Sequence, residues 1–200
     1  MGVSDVTFEK VDLPQEIDEA AREASPTRVS AGAIVSTARP RQWAKNVLVF
    51  GAPATGGVLT DPAALASIIA AFIAFCLVAS GVYFFNDIAD ASTDRLHPTK
   101  RFRSIAAGQM SRSLAAALGA LLVAVGLAVA VWGGGLGLLG VLAGYVGLSV
   151  AYMLVLRDIA LIDLAAISGG FLLRAVAGGV ATDVPLSMFG KWKISFMTDG

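Results

Sequence analysis

Residues 63–85 read AALASIIAAFIAFCLVASGVYFF, an uncharged run that opens directly into NDIADASTDRLHPTKRFRSIAAG, residues 86–108. A bilayer core of about 30 Å needs about 20 apolar residues in a helix, so the first half of this stretch is long enough to cross a membrane. The second half turns abruptly polar, as a chain does where it leaves lipid. Two further runs, Leu114 to Trp132 and Leu136 to Leu156, pass the same test without a charge. A fourth, Ile159 to Ala181, is long enough but holds Asp163 and Arg174, so it is expected to face something polar. The remaining candidate is Val29 to Leu59, whose helix is expected to begin upstream of Pro40. The predicted fold is all-α, a polytopic transmembrane helical bundle of about five spans.

Composition agrees. Of the 200 residues, 56% are hydrophobic and only 15% charged, against roughly half and a quarter in soluble domains. Formal net charge is zero, which points to no nucleic-acid partner. Seven of the fifteen acids fall between Asp5 and Glu23. Residues 1–28 are expected to form a disordered cytoplasmic tail, since they lack both apolar content and the features of a signal peptide. Cys76 is the only cysteine and lies inside an apolar run, which excludes a disulfide framework.

Basic residues gather in alternate connections, from Arg28 to Lys45 and from Arg95 to Arg112, with Arg157 later. The loops near Thr55 to Asp61 and at Gly133 to Gly135 have none. Cytoplasmic loops retain Lys and Arg, so the N-terminus is expected inside a multi-pass cell-membrane protein. Residues 183–200 form an atypical tail too short for another span. The glycines, among them Gly140, Gly144 and Gly178, are read as sites of close helix packing.

Asp87, Asp90 and Asp94 stand at i, i+3 and i+7, on one face of a helix. Like charges on adjacent turns repel, and a cation removes the conflict. Hard oxygen donors with room for water and phosphate suit Mg²⁺, and Asn86 can add an amide contact. Lys100, Arg101 and Arg103 follow on the same side, as cations suited to phosphate oxygens. Lys45 and Asn46 are expected to face a polar cavity, and Arg174 to meet an anion within the bundle. Trp43 is read as an interfacial anchor and His97 as a turn residue.

At these residues the chain resembles the UbiA-type intramembrane prenyltransferases. NDxxDxxxD at Asn86 to Asp94, followed by HPTKRFRSIAAG, looks like that family's first signature. RPRQWAKN at Arg39 to Asn46 and LLRAVAGGVAT at Leu172 to Thr182 look more like its branch that transfers phosphoribose to a polyprenyl phosphate. The resemblance covers Val29 to Trp192. It implies Mg²⁺ dependence, with Asp87, Asp90 and Asp94 as catalytic metal ligands. Lys45, Asn46, Asn86, Lys100, Arg101, Arg103 and Arg174 would bind substrate phosphates. The implied substrates are phosphoribosyl diphosphate and decaprenyl phosphate in the lipid bilayer, on the route to a cell-wall arabinose donor. Ser104 departs from the signature, which usually has proline there. Members have about nine spans and a second motif in a later loop, so the 200-residue chain alone is expected to be inactive. The rival readings are isoprenoid transfer to an aromatic acceptor, and a non-catalytic or transporter-like membrane protein.

Overall fold

The computed structural model describes residues 29–156 and 160–184, leaving aside side chains 155–165. The expected tail of residues 1–28, the carboxyl of Asp163, Arg157 and residues 185–200 fall outside it. Among the described residues every regular element is helical.

The chain enters through α1, Ala31–Ala38, capped by the Ser30 side chain, which accepts from the Ala33 amide at 3.1 Å. Arg39 then takes a left-handed conformation, φ 52° and ψ 58°, and Pro40 starts an eleven-residue 3-10 helix, Pro40–Phe50. The short α2, Gly51–Thr55, continues from it. The segment from Val29 to Leu59 is therefore not one helix begun upstream of Pro40. The proline disfavours α conformation at the residue before it, so the path breaks at Arg39. Runs of 3-10 helix this long are uncommon, because their hydrogen bonds are poorer than those of an α-helix.

Asp61 caps α3, Pro62–Leu96, by accepting from the Ala63 amide at 2.9 Å, and Pro62 occupies the first helical position, where its missing N–H costs nothing. At 1.5 Å per residue its 35 residues reach about 52 Å, well beyond a hydrocarbon core of about 30 Å. The aspartates ride on the excess length. After the loop through Lys100–Phe102 comes α4, Arg112–Ala151, interrupted at Gly135, where φ 64° and ψ −158° are not helical. The two runs predicted as separate spans lie on either side of that glycine. A π-type segment, Tyr152–Leu156, and α5, Ala160–Ala181, complete the described bundle. Two helices, Pro62–Leu96 and Arg112–Leu154, are long and apolar enough to cross a membrane, and the apolar Ala166–Ala181 is shorter.

Two apolar clusters hold these elements. Ile68, Phe75, Val78, Leu138, Leu142 and Ala177 form the larger. The smaller joins Ala33 of α1, Phe84 and Ala91 of α3, and Ile105 and Met110 of the loop, and so fixes both chain segments around the aspartates. Close approaches use glycine where the backbones nearly touch. A Cβ on Gly81 would stand 2.6 Å from the Gly119 carbonyl oxygen, and one on Gly178 would overlap the carbonyl of Val49. Gly140 and Gly144 have open space instead, so their spacing does not mark a contact here.

Replacing Gly178 by alanine should destabilise the chain by about 1–3 kcal/mol, the usual cost of forcing a methyl into a filled space. Thermal unfolding in detergent measures this, with Gly144→Ala as the control expected to be silent. Equal melting of the two variants would contradict the α5 approach to the 3-10 helix.

Candidate active site

The C-terminal turns of α3 present Asn86, Asp87, Asp90 and Asp94. At about 100° per residue they lie at roughly 0°, 100°, 40° and 80° around the helix, within one arc. Asp87 and Asp94 are buried, 3% and 2% exposed, while Asn86 and Asp90 are half-buried. A carboxylate out of water must be paired, and guanidinium groups supply the pairing. Arg39 Nη2 donates to Asp87 Oδ1 at 2.5 Å. Arg103 Nη1 donates to Asp94 Oδ2 at 2.8 Å and stands 3.5 Å from Asp87 Oδ1. The order Arg39, Asp87, Arg103, Asp94 is thus a chain of alternating charge. The ring of Tyr83 lies under the Arg39 guanidinium, 4.8 Å from its centroid.

Local structure explains how Arg103 arrives. His97 Nδ1 accepts from the Thr99 and Lys100 amides, each at 3.3 Å, and shapes the turn that follows α3. Arg95 Nε then holds the returning loop through the Ala106 carbonyl at 3.2 Å. Lys100 and Arg101 remain exposed, with Arg101 stacked on the Phe102 ring at 4.8 Å. Neither lines a cavity described below.

A second group lies deeper. Arg174 of α5 is only 6% exposed, and its Nε donates to Asn46 Oδ1 at 2.7 Å. Its Nη1 donates to the Gly170 carbonyl at 2.6 Å and its Nη2 to the Tyr145 hydroxyl at 3.3 Å. The rings of Phe75 and Tyr145 face the same guanidinium. Asn46 is fully buried and uses its other end on Cys76 Sγ at 3.3 Å. Both ends of the Asn46 amide are thereby engaged inside the protein, so in this arrangement it positions Arg174. Trp43, expected at the membrane interface, turns inward, because its indole donates to Ser80 Oγ at 3.0 Å and Ser80 in turn donates to the Ala38 carbonyl.

Two cavities meet these groups. One, of about 280 Å³, is lined by Lys45, Asn86 and Arg174 with Tyr83, Tyr145 and Tyr152. Its apolar wall includes Ile167 and Phe171, which are partly exposed on the bundle surface. The other, of about 320 Å³, is lined by Ser36, Thr37, Arg39, Asp87, Arg103 and Ser104, among others. Asn86 and Asp87, consecutive in the chain, open onto different cavities. Of the residues predicted for a site, the structure brings Asn86, Asp87, Asp90, Asp94 and Arg103 to the end of α3, with Lys45, Asn46 and Arg174 beside the inner cavity. In the sequence Arg39 stands only as the first residue of RPRQWAKN and within the basic stretch from Arg28 to Lys45, which does not reveal its pairing with Asp87. The signal was its place before Pro40, which forces a sharp change of direction.

The model of the UbiA prenyltransferase family matches residues 47–197. The chain belongs to the UbiA prenyltransferase family. Among similar UbiA proteins, a decaprenyl-phosphate phosphoribosyltransferase of Mycolicibacterium smegmatis is 41% identical over 194 residues, covering 95% of this chain and 60% of that protein. The decaprenyl-phosphate phosphoribosyltransferase of Mycobacterium tuberculosis strain H37Rv is 42% identical over 179 residues, 88% of this chain and 58% of its own. One from Corynebacterium glutamicum is 37% identical over 167 residues, 82% and 50%. This chain therefore spans between half and three fifths of the length of these relatives.

Proposed function

We propose that this chain serves the transfer of a phosphoribosyl group from phosphoribosyl diphosphate to a polyprenyl phosphate, decaprenyl phosphate in the named relatives, at the cytoplasmic face of a cell membrane. The observation that carries the reading is the alternation of carboxylates and guanidinium groups at the end of α3, beside a cationic cavity with an apolar wall. Carboxylates suit a hard cation, guanidinium groups suit phosphate oxygens, and the wall suits an isoprenoid chain. The names of the relatives supply the transferred group and the acceptor.

Whether the residues fit Mg²⁺ is decided by their chemistry. Among the described residues no three acid, histidine or cysteine side chains converge as a metal cage. Mg²⁺ rarely uses such a cage; it is commonly held by one or two carboxylates plus substrate phosphates. Asp87, Asp90 and Asp94, assisted by Asn86, fit that mode and would hold the ion together with the donor diphosphate. Once bound, it would neutralise charge that develops on the leaving diphosphate.

The remaining work belongs to the protein. In the reaction, a lipid phosphate oxygen forms a bond to the anomeric carbon, the bond from that carbon to the diphosphate oxygen breaks, and its electron pair leaves with diphosphate. The attacking oxygen is already anionic, so no protein base is required. Lys45 and Arg174, which line the inner cavity, hold the acceptor phosphate and Arg103 the donor phosphates; Arg174 and Arg103 are already held by hydrogen bonds, which limits their reorganisation. Lys100 and Arg101, on the outer face, attract anionic substrates from a distance. The basic loop at the end of α3, against the Lys- and Arg-free connection at its start, supports a cytoplasmic N-terminus in a multi-pass arrangement.

Titration calorimetry of the purified chain tests this. Mg²⁺ alone should give no measurable binding, whereas Mg²⁺ with phosphoribosyl diphosphate should bind, and Mg²⁺ with an allylic diphosphate should bind more weakly. Preference for the allylic diphosphate would favour isoprenoid transfer instead. Failure of either diphosphate to bind would reject the α3 site.

A further inference from the structure

The outer cavity contains more hydrogen-bond donors than its own structure consumes. The Ala33 carbonyl receives three hydroxyl donors, Ser36 at 3.0 Å, Thr37 at 2.9 Å and Ser104 at 3.3 Å. A carbonyl oxygen offers two lone pairs, so these three compete for two places. Ser36 and Ser104 also share a contact of 3.3 Å with each other. At least one hydroxyl proton can therefore turn into the cavity without leaving a buried acceptor unsatisfied. Two guanidinium groups, Arg39 and Arg103, line the same space with Asp87 between them, and Arg103 is also bound on its other side by Asp94.

This space is separate from the inner cavity that holds Lys45 and Arg174. Its volume of about 320 Å³ is roughly ten times the share of one liquid water, enough for a sugar phosphate. Arg39 is also held in place at some cost: φ 52° is left-handed for a residue with a side chain, and Pro40 follows. Strain of this kind persists where surrounding structure imposes it, and it gathers at ligand sites. Here it aims a guanidinium at the junction of α1, α3 and the loop.

We infer that the cavity between α1, the end of α3 and the loop at Arg103 and Ser104 binds a phosphate monoester on the donor sugar, the phosphate that is not lost in the reaction. The inference rests on the proposed function, which places the leaving diphosphate at the α3 carboxylates. Arg39 and Arg103 supply charge and bidentate geometry, and Ser36, Thr37 and Ser104 supply neutral donors. Asp90, between the two cavities on the helix arc, then stands between the sugar phosphate on one side and the acceptor phosphate on the other. An allylic diphosphate has no second anion for the outer cavity, which gives the site a physical basis for choosing a phosphorylated sugar.

The test uses the purified chain in lipid nanodiscs, titrated separately with ribose 5-phosphate, with Mg²⁺ and diphosphate, and with a short-chain polyprenyl phosphate. In the Ser36→Ala, Ser104→Ala double variant, ribose 5-phosphate should bind about tenfold more weakly, the effect of losing one or two neutral hydrogen bonds, with the other two probes within about twofold. Retained diphosphate binding shows that the variant is folded. An unchanged ribose 5-phosphate affinity, an equal loss for all three probes, or a loss confined to the polyprenyl phosphate would each overturn the inference. Wild-type chain that binds Mg²⁺ and diphosphate but not ribose 5-phosphate would overturn it while leaving the transfer reading in place. Chain that binds neither overturns both.

Discussion

Arg174→Met is expected to lower the affinity of the chain for a short-chain polyprenyl phosphate by about ten- to hundredfold while moving its melting temperature little. Two opposing terms make the stability change small. Removing the guanidinium leaves Asn46 Oδ1 without its donor, a buried loss of about 1–3 kcal/mol, and frees the Tyr145 hydroxyl, which lines the inner cavity. It also removes a buried cation, 6% exposed, that has no carboxylate partner among the described residues, and an unpaired buried charge is itself costly. Methionine refills most of the volume against Phe75 and Tyr145. The binding term has no such offset, because among the described residues no carboxylate pairs with Arg174, and its charge is directed to the inner cavity it lines. Loss of a charge-assisted bond of about 1.5–3 kcal/mol corresponds to roughly a ten- to hundredfold weakening. Calorimetry and thermal unfolding on the same samples separate the two quantities. A large fall in melting temperature with unchanged lipid phosphate affinity would sink the anion role and leave Arg174 as a structural tie between α5 and the 3-10 helix.

Asp87→Asn, and independently Asp90→Asn, should abolish Mg²⁺-dependent binding of phosphoribosyl diphosphate, a weakening of about a hundredfold or more for a lost charged ligand. The two substitutions differ in their side effects. Asp87 neutralises Arg39 and part of Arg103, so its amide variant leaves the half-buried Arg39 without its carboxylate while Arg103 keeps Asp94 at 2.8 Å. That change should cost stability of order 1 kcal/mol, discounted because both arginines reach solvent. It should also raise metal-free binding of phosphate, since Arg39, no longer shared with Asp87, becomes more available to anions. Donor binding that survives in both variants with full Mg²⁺ dependence would reject the carboxylates as metal ligands.

The long helices were legible because lipid imposes a length and a composition that few other environments demand. The run from Ala63 to Phe85 lies wholly within α3, and the break expected at Gly133 to Gly135 coincides with the non-helical Gly135. The first segment was not legible. Its apolar content suggests one span, but the pair Arg39 and Pro40 imposes a local backbone choice that hydropathy does not register. At the site, aspartates three and four residues apart announce a shared face, since helical spacing alone decides it. Partners brought in from elsewhere in the chain carry no such signature. The bond between Arg39 and Asp87 joins residues 48 positions apart, and that between Ser104 and Ala33 joins residues 71 apart. Trp43 shows the same limit: an indole near a membrane boundary is commonly an anchor, and only the position of Ser80 reveals that this one faces inward.

The left-handed turn at Arg39 limits how this region can be improved. Elsewhere in a protein, glycine is the usual remedy for a positive φ, because it accepts the angle without steric penalty. At residue 39 that remedy would erase the guanidinium that neutralises Asp87 and faces the outer cavity. A residue able to keep the cation must have a Cβ, and a residue that relaxes the backbone must lack one. Conformational ease and electrostatic competence are therefore mutually exclusive at this position, so engineering for robustness has to begin at another residue.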